Sequence, residues 1–352
     1  MQPSEILSEA VRMGGSDIFI IPGAPLMVKV RGSMVQLTQE KLFPDAINSL
    51  IADIYAMARR EQDILEKEGD DDFSFAVKDL SRFRCNVYRQ RGTLAATCRV
   101  VAFGLPDPKS LNIPSQVMDL ANLRSGMILV TGPAGSGKST TLACMLDKIN
   151  ASRYGHIVTV EDPIEYLHSH KKSLVSQREV PNDSPSFARA LRAVLRQAPD
   201  VIMLGEMRDQ ETIRTAITAA ETGHLLLSSL HTVGASKTVD RILDVFPAEQ
   251  QPQIRVQLSM VLKAVVSQRL ITTKDGRQVP VFEVMNVNPA VQNLIRDGRT
   301  HQIDNAIYGG GAEMLSMDAE LFRLVREGKL EKETAVLYAV APEALAKKLM
   351  LR

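Results

Sequence analysis

Gly132-Pro-Ala-Gly-Ser-Gly-Lys-Ser139 is the stretch that decides the architecture of this 352-residue chain. It fits the phosphate-binding loop pattern of nucleoside triphosphatases at every position. Gly132, Gly135 and Gly137 let the backbone turn tightly through Pro133, Ala134 and Ser136, bringing N–H groups close to phosphate oxygens. Lys138 supplies a point charge for the terminal phosphates, and the hydroxyl of Ser139 suits a Mg²⁺ ion. Met127 to Thr131 reads as a short apolar strand feeding the loop. Thr140 to Ile149 reads as the helix whose positive N-terminus faces the phosphates. Strand, loop and helix in that order predict a chain that binds a nucleoside triphosphate.

Outward from the loop, apolar strands at 127–131, 157–160, 201–204 and 225–229 alternate with helices at 139–150, 186–197 and 210–221. Such alternation predicts an α/β fold, a parallel sheet covered by helices, with functional groups at the carboxyl ends of the strands. Long helices at 248–267 and 289–296, a strand at 279–287 and a helical tail ending at Arg352 complete this part. The first hundred residues read as a smaller α/β unit. It has a helix from Glu5 to Met13, strands at 18–21 and 27–31, a helix at 45–67 and a strand pair at 83–88 and 93–101. Three prolines between Gly104 and Pro114 have linker composition. The predicted organisation is therefore a domain at 1–100, a linker at 101–114 and a second domain at 115–352.

Composition narrows the function. Forty-two basic against 41 acidic side chains leave a net charge of +1, which counts against a nucleic-acid motor, and no nucleic-acid partner is expected. Cys85, Cys98 and Cys144 contain no CxxC pair and suit a reducing cytoplasm as small apolar residues. No apolar run approaches the roughly 18 residues needed to span a bilayer, and Met1-Gln-Pro-Ser-Glu5 has no leader pattern. Any membrane role is then peripheral.

Triphosphate hydrolysis needs a metal, an oriented water and a group to take its proton. The 157–160 strand ends in Glu161-Asp162 and the 201–204 strand in Gly205-Glu206, so Glu161 and Glu206 are expected to face one pocket. Asp200, at the other end of its strand, reads as a turn residue. His224 and His231 bracket the 225–229 strand and are expected to sense the terminal phosphate. Arg82, Arg84, Arg89, Arg91 and Arg99 fall within eighteen residues of the first domain and suggest a surface that meets phosphate, as arginine fingers do. A basic face at Arg189, Arg192 and Arg196 reads equally well as solvated helix surface.

Four motifs now stand in order: Gly132 through Thr140, Thr159-Val-Glu-Asp-Pro-Ile-Glu165, Pro199-Asp-Val-Ile-Met-Leu-Gly-Glu-Met-Arg-Asp209, and His224 through Thr232. Together the chain resembles the bacterial secretion ATPases, with their Walker A loop, Asp box, atypical Walker B and His box. Within them it looks like the PilT-type motors of type IV pilus retraction. Ala10-Val-Arg-Met-Gly-Gly-Ser-Asp17 and the segment from Ala235 to Glu249 support this. The resemblance implies a ring homohexamer with a PAS-like first domain and a RecA-like ATPase domain. It implies ATP with Mg²⁺, a cytoplasmic protein at the inner face of the inner membrane, a platform protein there as partner, and a sister pilus ATPase beside it. By the same resemblance Lys138 and Ser139 hold phosphate and Mg²⁺, Glu161 activates water, and Glu206 lies near the metal. His224 and His231 are phosphate-linked, and Arg84 and Arg99 reach the nucleotide.

By the resemblance, assembly-type motors carry a further N-terminal domain and a four-cysteine zinc module; neither is expected here, which points to retraction. Ala290-Val-Gln-Asn-Leu294 departs from the family's Ala-Ile-Arg-Asn-Leu core at Gln292, and the tail from Gly309-Gly-Gly311 onward fits it poorly. An accessory or assembly-type motor therefore stays open, as do a RecA-like DNA translocase and an ATP-binding scaffold without turnover.

Overall fold

Alternating apolar and polar residues in the early strands leave one sheet face for a core and one for water. In the computed structural model, which describes residues 2–101 and 104–350, six strands accordingly form one antiparallel sheet. They are β1 (Gly15–Ile20), β2 (Met27–Val30), β3 (Ser33–Gln36), β4 (Asp70–Val77), β5 (Ser81–Gln90) and β6 (Thr93–Val101), in the order β3-β2-β1-β6-β5-β4. Helices α1 (Pro3–Arg12), α2 (Pro44–Ala58) and α3 (Asp63–Glu68) supply Leu7, Ile51 and Leu65 to its core with Ile18 and Phe83. The strands at 33–36 and 70–77 were not legible in the sequence. The single helix expected over 45–67 is corrected to two. Arg59 takes a left-handed φ of 54° and ends α2. That conformation costs about 1–2 kcal/mol for a non-glycine residue. The Asp71 carboxylate accepts from Arg60 at 2.7 and 2.8 Å and from the Tyr55 hydroxyl at 3.0 Å, which anchors the break.

The second sheet grows around the strand ahead of the phosphate loop. Its members are β7 (Gly126–Thr131), β8 (His156–Glu161), β9 (Leu174–Glu179), β10 (Val201–Leu204), β11 (Leu225–Leu230), β12 (Leu262–Thr272) and β13 (Gln278–Asn286), in the order β13-β12-β7-β11-β10-β8-β9. All neighbours are parallel except the β12–β13 pair. Met127, Leu129, Val158, Ile202 and Leu226 pack on one face; Ile128, Val130, Ile157, Met203 and Leu227 pack on the other. Burial on both faces explains why these strands read as unbroken apolar runs.

One face is covered by α4 (Ser115–Asp119) and α5 (Lys138–Ser152). The other carries α6 (Phe187–Val194), α7 (Gln210–Glu221), α8 (Ala235–Asp244), α9 (Gln251–Val261), α10 (Pro289–Arg296) and α11 (Ile303–Gly309). A further cluster holds α12 (Met317–Arg326), α13 (Lys332–Tyr338) and α14 (Pro342–Met350). The helix expected over 248–267 is corrected: it stops at Val261 and the chain continues as β12. Val265 and Val266 are β-branched, and pairing with β7 and β13 satisfies their backbone on both sides.

The chain divides into two compact units, Met1–Gly104 with Pro163–Leu167, and Leu105–Asp162 with His168–Arg352. Two positions of the expected linker, 102–103, and the end of the expected tail, 351–352, lie outside the described residues.

Candidate nucleotide site

Gly132 and Gly137 take φ values of 146° and 89°, and neighbours close in on both. A Cβ on Gly132 would stand 2.1 Å from the carbonyl oxygen of Gln268, and one on Gly137 2.9 Å from its Nε2. Gln268 also accepts from the Thr141 hydroxyl at 2.8 Å, so it walls the loop and pins the helix behind it. It lies on β12, just past the helix the sequence reads over 248–267 and in a stretch assigned to no element, which is why it was missed. Lys138 is buried, and its Nζ donates to the carbonyls of Gly132 at 3.0 Å and Pro133 at 2.9 Å. The ammonium thus rests inside the turn it is expected to serve.

Strand order sets the rest. Reading from β7 through β11 and β10 to β8, the carboxyl ends carry the phosphate loop, His231, Glu206 and Glu161 in one row, and Gln177 of β9 stands beside them opposite Thr159. Register is tight: Leu204 lies opposite Val160 on one side and Ser228 on the other. The Gly205 N–H donates to Val160 at 2.8 Å, and the Ser229 hydroxyl donates to the Gly205 carbonyl at 2.6 Å. Glu206 and His231 therefore leave adjacent strands at nearly one level. Glu206 Oε1 pairs with Arg208 at 2.6 Å, and Oε2 lies 3.4 Å from His231 Nε2. Nothing in the sequence singled out Arg208. Glu161 is buried; its Oε1 accepts from the Thr159 hydroxyl at 2.6 Å and from Gln177 Nε2 at 3.2 Å. Gln177 is fixed in turn by accepting from the His168 N–H at 2.8 Å. It escaped the sequence reading because β9 is a polar edge strand.

The structure separates the two histidines. His224 stands at the amino end of β11, where its carbonyl accepts from the N–H of Gly126 at the start of β7. A six-residue strand spans about 20 Å, so only His231 shares the end of the sheet that carries the loop. Having both histidines beside one pocket is corrected on that geometry. The ring of His224 instead lies 2.9 Å from the Ala219 carbonyl at the end of α7. Arg84 and Arg99 are register partners on β5 and β6. They pair with Asp72 at 2.5 Å and Asp17 at 2.9 Å, each on a neighbouring strand.

Several buried polar atoms lack a hydrogen-bond partner at this end of the sheet: Thr131 Oγ1, Ser136 Oγ, Ser228 Oγ and Glu206 Oε2. Such atoms cost roughly 1–3 kcal/mol each when unpaired, and a polar ligand at the loop can satisfy them. Among the described residues no three His, Cys, Asp or Glu side chains gather into a metal cage. A magnesium ion carried on phosphates needs only one or two protein oxygens, which Ser139 and Glu206 can provide. A cavity of about 280 Å³ adjoins the loop at Gly137 and Thr140, lined by Leu111, Ile113, Leu270 and Pro280. Its apolar walls suit a flat ring, and Asn112 and Gln278 at its rim offer both donors and acceptors.

Comparison with known proteins gives a concordant picture. The family model for type II/IV secretion system proteins matches residues 2–346. The type IV pilus retraction ATPase PilT of Pseudomonas aeruginosa is 42% identical over 344 residues, 97% of this chain and 99% of that protein. The type IV pilus ATPase PilU of the same organism is 36% identical, over 96% of this chain and 89% of that one. A crystal structure of the pilus retraction motor PilT with bound ADP superposes with a TM-score of 0.89 at 43% identity, covering 99% of both chains.

Proposed function

The chain belongs to the type II/IV secretion system protein family, and from that premise we propose that it converts ATP hydrolysis into retraction of type IV pili. It is an ATPase of twitching motility, and the row of carboxyl-end groups beside the phosphate loop is the observation that carries this. The loop N–H groups and Lys138 bind the phosphates, and the apolar cavity beside Gly137 takes the base. Ser139 and Glu206 hold Mg²⁺, which supplies positive charge to the phosphate oxygens. Glu161, oriented by Thr159 and Gln177, places the attacking water and accepts its proton. His231 stands over Glu206 and reads the terminal phosphate. Arg84 and Arg99 serve the transferring phosphoryl group. Their present ion pairs are partly exposed, and such pairs hold with only about 0–1 kcal/mol, so exchanging them costs little.

The finer reading places the chain in a homohexameric ring at the cytoplasmic face of the inner membrane. There it acts on a platform protein, with a sister ATPase beside it. Deleting the gene tests this: cells should carry excess fibres that do not retract, whereas bald cells would make it an assembly motor. An accessory motor is the second reading, favoured by Gln292 on α10. The higher identity to PilT than to PilU favours the first. A deletion complemented only when a sister ATPase is present would decide for the accessory role. Addition of DNA should leave the ATPase rate unchanged.

A further inference from the structure

Glu283 lies level with the carboxyl-end row, and the site described so far does not use it. On β13 it stands opposite Ser267 of β12, which stands opposite Thr131 at the tip of β7. At 3% exposure, its carboxylate needs donors to stay ionised. Two come from helix starts. Oε1 accepts from the N–H of Ala235, the first residue of α8, at 2.9 Å, and the N–H of Met317, the first residue of α12, also donates to the carboxylate. The positive ends of two helices thus meet on one side chain.

What each helix leads to gives the arrangement its interest. Ala235 follows His231 by four residues, and the intervening loop is tied down. The Gly234 N–H donates to Ser267 Oγ at 2.9 Å, and the hydroxyls of Thr232 and Thr238 meet at 2.7 Å. From α12, Asp318 accepts from the N–H groups of Val340 and Ala341 at 2.7 and 2.9 Å, in the link between α13 and α14. An unbroken path of packed backbone and hydrogen bonds therefore runs from His231 through Glu283 to the last helices of the chain.

We propose that Glu283 is a positioning residue that holds the His231 loop and the C-terminal helices to a common point, so that movement at the phosphate end reaches α12, α13 and α14. The inference rests on His231 acting at the terminal phosphate. Asp304 of α11 and Asp318 of α12 are the charged groups around Glu283, and Tyr308 of α11 lies near as well. Burial first, and these two carboxylates second, push the Glu283 carboxyl up to about 7. Only the ionised form accepts strongly from both helix starts, so the hold weakens as pH falls through that value.

Two full-length variants, Glu283→Leu and Glu283→Gln, test it by amide hydrogen exchange over peptides 231–240 and 315–320 and by steady-state ATP turnover from pH 6 to 8.5. Glu283→Leu should speed exchange in both peptides at least tenfold. It should lower kcat about tenfold while KM stays within about threefold. Glu283→Gln keeps one acceptor oxygen but no charge, so at every pH it should turn over like the protonated wild type, below ionised wild type and above Glu283→Leu, and show no acid limb. Unchanged exchange in the Leu variant overturns the proposal whatever the turnover, and so does faster exchange with wild-type kcat. Should the Leu variant fail to fold, an acid limb persisting in the Gln variant overturns it. A wild-type protein without ATP turnover would remove the role of His231, while the exchange measurement still decides whether Glu283 holds both helices.

Discussion

The two ends of the parallel sheet hold the same kinds of residue and use them differently. At the amino ends, side chains close onto nearby backbone. Asp200 Oδ2 accepts from the His156 N–H at 2.7 Å, His156 Nδ1 lies 2.9 Å from the Gln197 carbonyl, and His224 Nδ1 lies 2.9 Å from the Ala219 carbonyl. At the carboxyl ends, Glu206 meets Arg208 and His231 side chain to side chain, and one of its oxygens has no hydrogen-bond donor. A histidine or carboxylate whose capacity is used by its own backbone is structural. One that keeps capacity, next to glycines that expose N–H groups, is available to a ligand.

The largest effect that could break this contrast belongs to Lys138→Ala. It removes charge-assisted bonds worth about 1.5–3 kcal/mol each and should abolish ATP turnover, with nucleotide affinity down at least about tenfold. A titration with fluorescent nucleotide that looks like wild type would refute it. Next, Glu206→Gln should cut kcat by about 10²–10³ while nucleotide affinity stays within about threefold, an effect on the metal's charge at the transferring phosphate rather than a binding effect. Wild-type hydrolysis in that variant would take Glu206 out of the site.

The paired histidines test the two ends directly. His231→Ala should cost about tenfold in kcat, on the order of one hydrogen bond. His224→Ala should cost less turnover, and instead lower Tm by about 2–4 °C through loss of a contact at the end of α7. An equal loss of turnover in both would mean that the ends of the sheet are not functionally distinct.

The smallest effect concerns stability. The ordinary Glu value is 4.5, and burial lifts Glu283 to about 7 in the fold. Between these values the folded chain holds the proton that the unfolded chain has lost, so stability falls as pH rises from 4.5 to 7 and stays low above it. Glu283→Gln should therefore raise Tm relative to wild type at pH 8 and leave it nearly unchanged at pH 4.5. Thermal melts showing the same difference at both pH values would contradict this.

Much of the site was legible because its chemistry is local. Gly132 to Ser139 is one continuous stretch of loop and helix start, and Glu161, Glu206 and His231 each end or closely follow a buried apolar run. Gln177 and Arg208 were not, since a polar residue on an edge strand and an arginine in a loop carry no pattern of their own. The start of β12 was misread as helix for a different reason, and Gln268 just beyond it was missed with it. Residues 253–272 contain no glycine or proline, so nothing local marks the change from helix to strand at Leu262.

Taken alone, the amino-acid order determined the phosphate loop, the apolar strands that bracket it and the acids at their ends, because glycine geometry and strand burial act within a few neighbours. Which strand lies beside which was decided only by tertiary packing. The order β7-β11-β10-β8 brings Glu206 to His231, sends His224 to the opposite end, and makes a strand of 262–272 by giving its backbone two partners. Long-range pairing has no local signature, and here it outweighs the weak preference of a single segment for helix.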